Sequence, residues 1–348
     1  MTLRRPQLEL AAAVGLACLL AGVLTWPVAL HLQGRLIGHP GNDAWNHVWG
    51  YWWVAEELLA GRWPAHTALL AHPGGGALYF IDTTQAVLTL PLQLIGGPAL
   101  AYNVAMMGGL ALAGLGAWLL TRRLTGDAIV AAFALVVFEA SPHLLGQAFN
   151  GISETVCAGW LPLTLWALVK VFDRPTPLRA VALGLLGGMT MLTSWYYGLF
   201  AGLGGLVLIA WQAGTQAYAV DWKRTLPAFA VSGAVALLTV SPLLLVFRGS
   251  LEAADALVTR DPEFVRASLM NHNITDLAAF FTPSKIPSPD LFTLYGEQLI
   301  IVIYVGWTAL LLAAAAVLMT RRRQEWSPWL VLGLVFFLFS LGPYLNVG

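Results

Sequence analysis

Apolar and polar residues follow one another along this chain in long blocks rather than in short periods. Apolar runs fall near residues 9–31, 99–121, 127–143, 155–172, 179–196, 198–213, 226–247, 298–320 and 327–344. Each is long enough as a helix to cross a hydrocarbon layer of roughly 30 Å. The pattern predicts an all-α polytopic membrane protein with about nine transmembrane helices, forming a single membrane domain over residues 1–348. The Gly-rich stretch 183–211 admits more than one division around 194–198.

Two intervening segments, 32–98 and 248–297, are far longer than a helix connection needs. They are expected as long outer loops carrying interfacial helices. In the first, Trp45, Val48, Trp49, Trp52, Ala55 and Leu59 recur at helical spacing, with Asn46, His47, Gly50 and Glu57 opposite. That suits a helix lying in the interface, where tryptophan is favoured. A second apolar run, 87–97, is broken by Pro91 and by Gly96-Gly97-Pro98, and is too short to span. It predicts a re-entrant or interfacial helix leading into the second crossing.

Composition strengthens this reading. Hydrophobic residues make up 58% of the chain and charged residues 10%, against about a quarter charged in a soluble domain. A net charge of zero argues neither for nor against a polyanionic partner, and no nucleic acid is expected. Cys18 and Cys157 sit in apolar runs and read as small core hydrophobes. The first run follows Arg4 and Arg5 and continues through Trp26, Pro27 and His31 without a small-residue cleavage site, so it reads as a retained signal anchor. The last run ends in Leu341-Gly342-Pro343-Tyr344 without a polar tail, which leaves open a natural chain that continues past Gly348.

Charge distribution sets the orientation. With the N-terminus cytoplasmic, twelve of the eighteen Lys and Arg residues fall inside, at 4–5, 122–123, 170–179, 223–224 and 321–323. Most acidic residues and all seven histidines fall at or beyond the outer helix ends. Titratable chemistry is therefore expected on the non-cytoplasmic face of a bacterial inner membrane.

The sharpest local signal is Gly41-Asn42-Asp43-Ala44-Trp45-Asn46-His47, just outside the first crossing. An ionised Asp43 suits a general base or a ligand for a divalent metal, and His47 follows one turn later on the same face. The competing reading of Asp43 is a helix cap. The polar stretch 141–154, read as a short outer turn, offers His143, Asn150 and Glu154 as a second wall, although Glu154 also suits a helix N-terminus. Glu139, deeper in the third run, is an intramembrane acid and so a candidate by default. Asp82 follows Pro73-Gly74-Gly75-Gly76 and Tyr79-Phe80, where glycines permit close approach to a ligand. Neither a Walker loop nor a GxGxxG turn is present. Trp195, Tyr196 and Tyr197 suit an interface belt or sugar stacking. Arg248, Arg260, Arg266 and Lys285 read as solvated charge or as partners of a lipid phosphate. Asn273-Ile274-Thr275 has the form of a glycosylation acceptor and is given no role.

These residues together resemble the GT-C superfamily of membrane glycosyltransferases that use polyprenyl-phosphate sugars. The likeness rests on Asp43 in Gly41-Asn42-Asp43-Ala44-Trp45, on Ser141-Pro142-His143 with Gly146 and Asn150, on Trp160-Leu161-Pro162-Leu163, on Tyr304-Val305-Gly306 and on Ser340-Leu341-Gly342-Pro343. It implies a lipid-linked sugar donor entering from the membrane, Asp43 and Glu154 as catalytic residues, and His47, His143, Asn150 and Asp82 as substrate-binding residues. Asp43 is also the residue to which it would bring a metal. Many members carry paired acids in the first loop, whereas Ala44 follows Asp43 here, with the next acids at Glu56 and Glu57. Rival readings are a transporter or flippase of lipid-linked sugars, and a noncatalytic subunit of an envelope assembly complex.

Overall fold

The computed structural model describes residues 5–70, 72–73, 75–77, 82–215, 220–252, 261–263, 266–267, 270, 275–283, 286–287, 300–319 and 323–343. Arg4, Gly74, Tyr79, Phe80, Arg260, Asn273, Ile274, Lys285, Arg321 and Arg322, invoked above, lie outside the described residues. In chain order the helices are α1 (Arg5–Leu24), α2 (Ala44–Leu59), α3 (Thr83–Leu88), α4 (Leu90–Thr125), α5 (Ala128–Glu139), α6 (Pro142–Asn150) and α7 (Ser153–Val156). They continue as α8 (Trp160–Asp173), α9 (Pro177–Thr193), α10 (Trp195–Thr215), α11 (Trp222–Glu252), α12 (Trp307–Met319) and α13 (Arg323–Ser340). Two short 3-10 helices (Val28–Leu30 and Leu277–Phe280) and two antiparallel strand pairs, β1 (His66–Thr67) with β2 (Gly76–Ala77) and β3 (Ile286–Pro287) with β4 (Ile300–Ile301), complete the described elements.

Among the described residues six helical spans are long and apolar enough to cross a membrane: α1, α4, α5 with α6, α7 with α8, α10 and most of α11. Three shorter apolar helices, Pro177–Thr193, Trp307–Met319 and Trp326–Ser340, occupy the other predicted runs. The protein is a predominantly helical integral membrane protein. The division within 183–211 falls at Ser194, a single extended residue (φ −153°) between α9 and α10.

Two expectations are corrected. The eighth run, placed at 298–320, becomes helical only at Trp307. Its β-branched start, Ile300-Ile301, pairs instead with Ile286-Pro287, as such side chains favour extended backbone. The stretch 141–151, read as a turn, forms α6. Ser141 caps it by accepting from Leu144 N (3.5 Å), Pro142 occupies its first turn, and Gly151 closes it in the left-handed conformation (φ +78°).

The expected short helix before the second crossing is present as the first turns of α4. The axis breaks at Gly97 (φ 82°, ψ 176°), followed by Pro98, a conformation that strongly favours glycine.

Small residues bring the first helices together. Ala13, Ala17 and Ala21 recur every four positions on α1 and are buried. The first two join a cluster with Trp118 of α4 and Ala131 and Leu135 of α5, close packing that membrane helices use in place of a hydrophobic driving force. The basic turns gather at one end of the bundle. Arg122 bridges to Glu9 of α1 (3.0 and 3.1 Å), Arg123 pairs bidentately with Asp173 of α8, and Arg179 donates to the Lys170 carbonyl (2.7 Å). Asp127, at the start of α5, accepts from the Ile129 and Val130 amides (2.7 and 3.1 Å) and holds the turn.

Candidate active site

At the opposite end of α4, two polar residues fasten the first long loop. Asn103 donates to the Leu32 and Arg35 carbonyls (both 2.7 Å) and accepts from Ile37 N (3.0 Å). The Tyr102 hydroxyl sits between the Ile37 and Gly151 carbonyls (2.7 and 2.9 Å). Both side chains are fully buried, so the loop is tied to α4 where water does not compete.

The same anchorage fixes where α2 begins. Gly38 (φ +129°) and Gly151 (φ +78°) close on Ala44 from two sides, and a Cβ on Gly151 would meet the Ala44 backbone at 2.8 Å. His39 N donates to the Phe149 carbonyl (2.7 Å) and its ring stacks on the Phe149 ring with centroids 5.2 Å apart. Asp43, at the head of α2, is thereby set beside the α6–α7 joint that carries Glu154.

Asp43 stands in the N-cap position of α2, yet its side chain accepts no backbone amide. Among the described residues its side-chain partner is Asn46, whose Nδ2 donates to Oδ1 over 3.2 Å. The capping role weighed above is not realised, and the half-buried carboxylate keeps acceptor capacity for a ligand.

α2 is amphipathic in the expected sense, with one correction. Trp45 and Trp52 are exposed, whereas His47, Gly50, Tyr51 and Val54 are buried. The face carrying His47 and Gly50 turns into the protein, against α3 and α4, rather than toward water. Ala55, placed on the tryptophan face, is buried as well.

That inward face meets Asp82. His47 Nδ1 lies 2.5 Å from Asp82 Oδ2, and the Ser153 hydroxyl donates to Asp82 Oδ1. Asp82 is 1% exposed and adopts a left-handed backbone (φ +58°) without capping α3. Such a conformation costs a non-glycine residue about 1–3 kcal/mol, and here it turns the carboxylate toward α2 and α7. Both Asp82 oxygens are engaged internally, one by His47 and one by Ser153. Burial disfavours charge on the His47 imidazole, but the Asp82 charge and hydrogen bond, with smaller help from Glu154 and Asp43, outweigh it and raise the pKa above the ordinary histidine value.

Glu154 lies in the first turn of α7, half-buried, adjacent in sequence to Ser153. The structure therefore brings Asp43, His47, Asp82 and Glu154 into one electrostatic neighbourhood. Asn150 is committed elsewhere. Its amide forms two 2.8 Å bonds with the Ile300 backbone, as donor to O and acceptor from N, and also accepts from Asn42 Nδ2 (3.4 Å). His143 is exposed on α6, with no hydrogen bond or ion pair to the other five candidates. Glu139 is fully buried at the end of α5. Among the described residues no three His, Cys, Asp or Glu side chains converge enough to hold a metal ion.

Ser153, Tyr102 and Asn103 were not singled out from sequence. Tyr102 and Asn103 carried a readable signal, being polar residues at the outer start of an apolar run. Ser153 carried none beyond its place before Glu154.

No protein-family model matches the chain, and no curated protein matches it. Its fold is similar to the crystal structure of the Archaeoglobus fulgidus oligosaccharyltransferase in the apo form, with a TM-score of 0.60 and 18% identity, over 96% of this chain and 48% of that one. The likeness is one of fold. The chain spans about half the length of that protein.

Proposed function

We infer that the chain is a glycosyltransferase of GT-C type, moving a sugar from a polyprenyl-phosphate-linked donor to an acceptor on the non-cytoplasmic face of a bacterial inner membrane. In this reading all nine apolar helices cross the membrane and the N-terminus is cytoplasmic. The observation that carries it is Asp43: a carboxylate at the head of α2 that does not cap its helix, beside the His47–Asp82–Ser153 unit. The oligosaccharyltransferase-like fold supports transfer from a lipid-linked donor.

The chemistry follows from the side chains. The acceptor hydroxyl attacks the anomeric carbon and gives its proton to Asp43. The bond from that carbon to the lipid-phosphate oxygen breaks, and the phosphate leaves with the bonding electrons. Attack opposite the leaving group inverts the anomeric centre. His47, held by Asp82, and Glu154 supply the polar wall around Asp43. General-base duty of this kind is worth about 10²–10⁴-fold in rate.

The test is transfer from polyprenyl-phosphate sugars to envelope extracts in membranes containing the chain, wild type against Asp43→Asn at matched expression. A product made by wild type and lost by at least about a hundredfold in the variant supports the reading. Equal transfer by both removes Asp43 from the chemistry, and no transfer by either overturns the enzyme reading for this chain.

A further inference from the structure

A groove with a volume of about 630 Å³ lies beside the start of α2, bounded by the segment after α1, the first turn of α2 and the kink of α4. It is within the about 300–1,000 Å³ of small-molecule sites. None of Asp43, His47, Asp82 or Glu154 lines it, so the proposed reaction does not account for it.

Its walls have two characters. Val48, Leu36 and Pro98 give an apolar side, with Trp45 at the edge. Arg35 supplies the positive charge: it is exposed and forms no ion pair among the described residues. Gln33 and Gly34 line both this groove and a second hollow of about 490 Å³ beside His31 and Leu100.

The surroundings place this groove at the level of lipid headgroups. Trp26 (64% exposed) and Trp45 (60%) flank it, and Ile95 near the α4 kink is 80% exposed. Exposed tryptophans of this kind sit at membrane–water boundaries, and an exposed isoleucine beside them is stable against acyl chains.

We propose that this groove binds an anionic glycerophospholipid, its phosphate on Arg35 and an acyl chain along Trp45 and Val48. A guanidinium suits a phosphate because its planar fork donates two parallel hydrogen bonds. The apolar wall discriminates further, since inorganic phosphate has nothing to place against it. A zwitterionic lipid fills the wall but brings its own ammonium toward Arg35. The inference is independent of sugar transfer, because no residue of the proposed chemistry lines the groove.

The experiment is native mass spectrometry of the full chain released from nanodiscs of phosphatidylcholine containing a minor share of phosphatidylglycerol. Wild type is expected to retain one phosphatidylglycerol in preference to phosphatidylcholine. Arg35→Gln should weaken that retention by about fivefold, the effect of one basic residue at an anionic surface. Ala99→Trp, which fills the groove and keeps Arg35, should also weaken it. Arg35 is exposed, so its variant is expected to fold, and unchanged circular dichroism confirms this. Equal retention by wild type and Arg35→Gln overturns the proposal. So does equal retention of both lipids, or full displacement of the bound lipid by inorganic phosphate alone.

Discussion

The Asp82 carboxylate lies 2.5 Å from His47 Nδ1, with both side chains almost wholly removed from solvent. Ser153 holds the second carboxylate oxygen, so three elements, α2, the start of α3 and α7, meet on one acid.

Asp82→Asn isolates the charge of that acid. Asparagine tolerates the left-handed backbone about as well as aspartate, so the fold of the loop is kept. Breaking a buried ion pair by neutralising one partner costs about 3–5 kcal/mol. The variant is expected to lower the thermal midpoint in detergent clearly, whereas a midpoint equal to wild type would show that the pair contributes nothing.

The pH dependence of stability has a defined sign. The pKa of His47 is raised in the folded protein from an unperturbed 6.5. Its contribution is therefore fully present below about pH 6.5 and is lost as pH rises through the folded value. The stability difference between wild type and His47→Gln should shrink between neutral and alkaline pH. A difference that grows with pH would contradict the raised pKa.

Much of this architecture was legible from the chain itself, because blocks of apolar residues have few folded solutions in a membrane. The helix α2, the break near Gly97 and the clustering of basic turns all follow from spacing and composition. The pairing of His47 with Asp82 does not, since 35 residues separate them and nothing in the sequence marks which acid a histidine will meet. Asp82 and Asn150 illustrate the same limit. Their residue types suit a ligand, but only packing shows that their hydrogen-bonding groups are committed to His47, Ser153 and Ile300. The helix α6 is a different case: Ser141-Pro142 and Gly151 are start and stop signals masked by the polar residues between them.

Gly151 supports the head of α2 at close range. Alanine there would carry both a left-handed backbone (φ +78°) and a contact with the Ala44 backbone. The two effects together should cost about 2 kcal/mol or more. Reduced folded yield in Gly151→Ala, read by size-exclusion profile and thermal midpoint, is the expected outcome. Wild-type behaviour would mean that Ala44 and Gly151 do not pack as described.

Orientation can be read independently of activity. A reporter that matures only outside the cytoplasm should be inactive when inserted at Gly126, the turn between α4 and α5 that follows Arg122 and Arg123. The same reporter at Gly61, after α2, should be active, because the two sites lie on opposite sides if α4 crosses once. The opposite pattern would invert the proposed topology.

Asp43→Asn separates structure from chemistry at a single atom pair. The carboxylate makes no cap bond to α2, and its side-chain partner among the described residues, the Asn46 amide, can still donate to the amide oxygen of asparagine. Stability should therefore stay within about 0.5 kcal/mol of wild type. Transfer should nevertheless fall by about a hundredfold or more, since an amide cannot accept a proton from an attacking hydroxyl. Glu154→Gln provides the contrast. Its carboxylate helps raise the pKa of His47, so the variant should shift the pH at which the His47 contribution to stability disappears to a lower value. An unfolded Asp43→Asn would place the residue in the scaffold, whereas a folded and fully active one would move the base to another group.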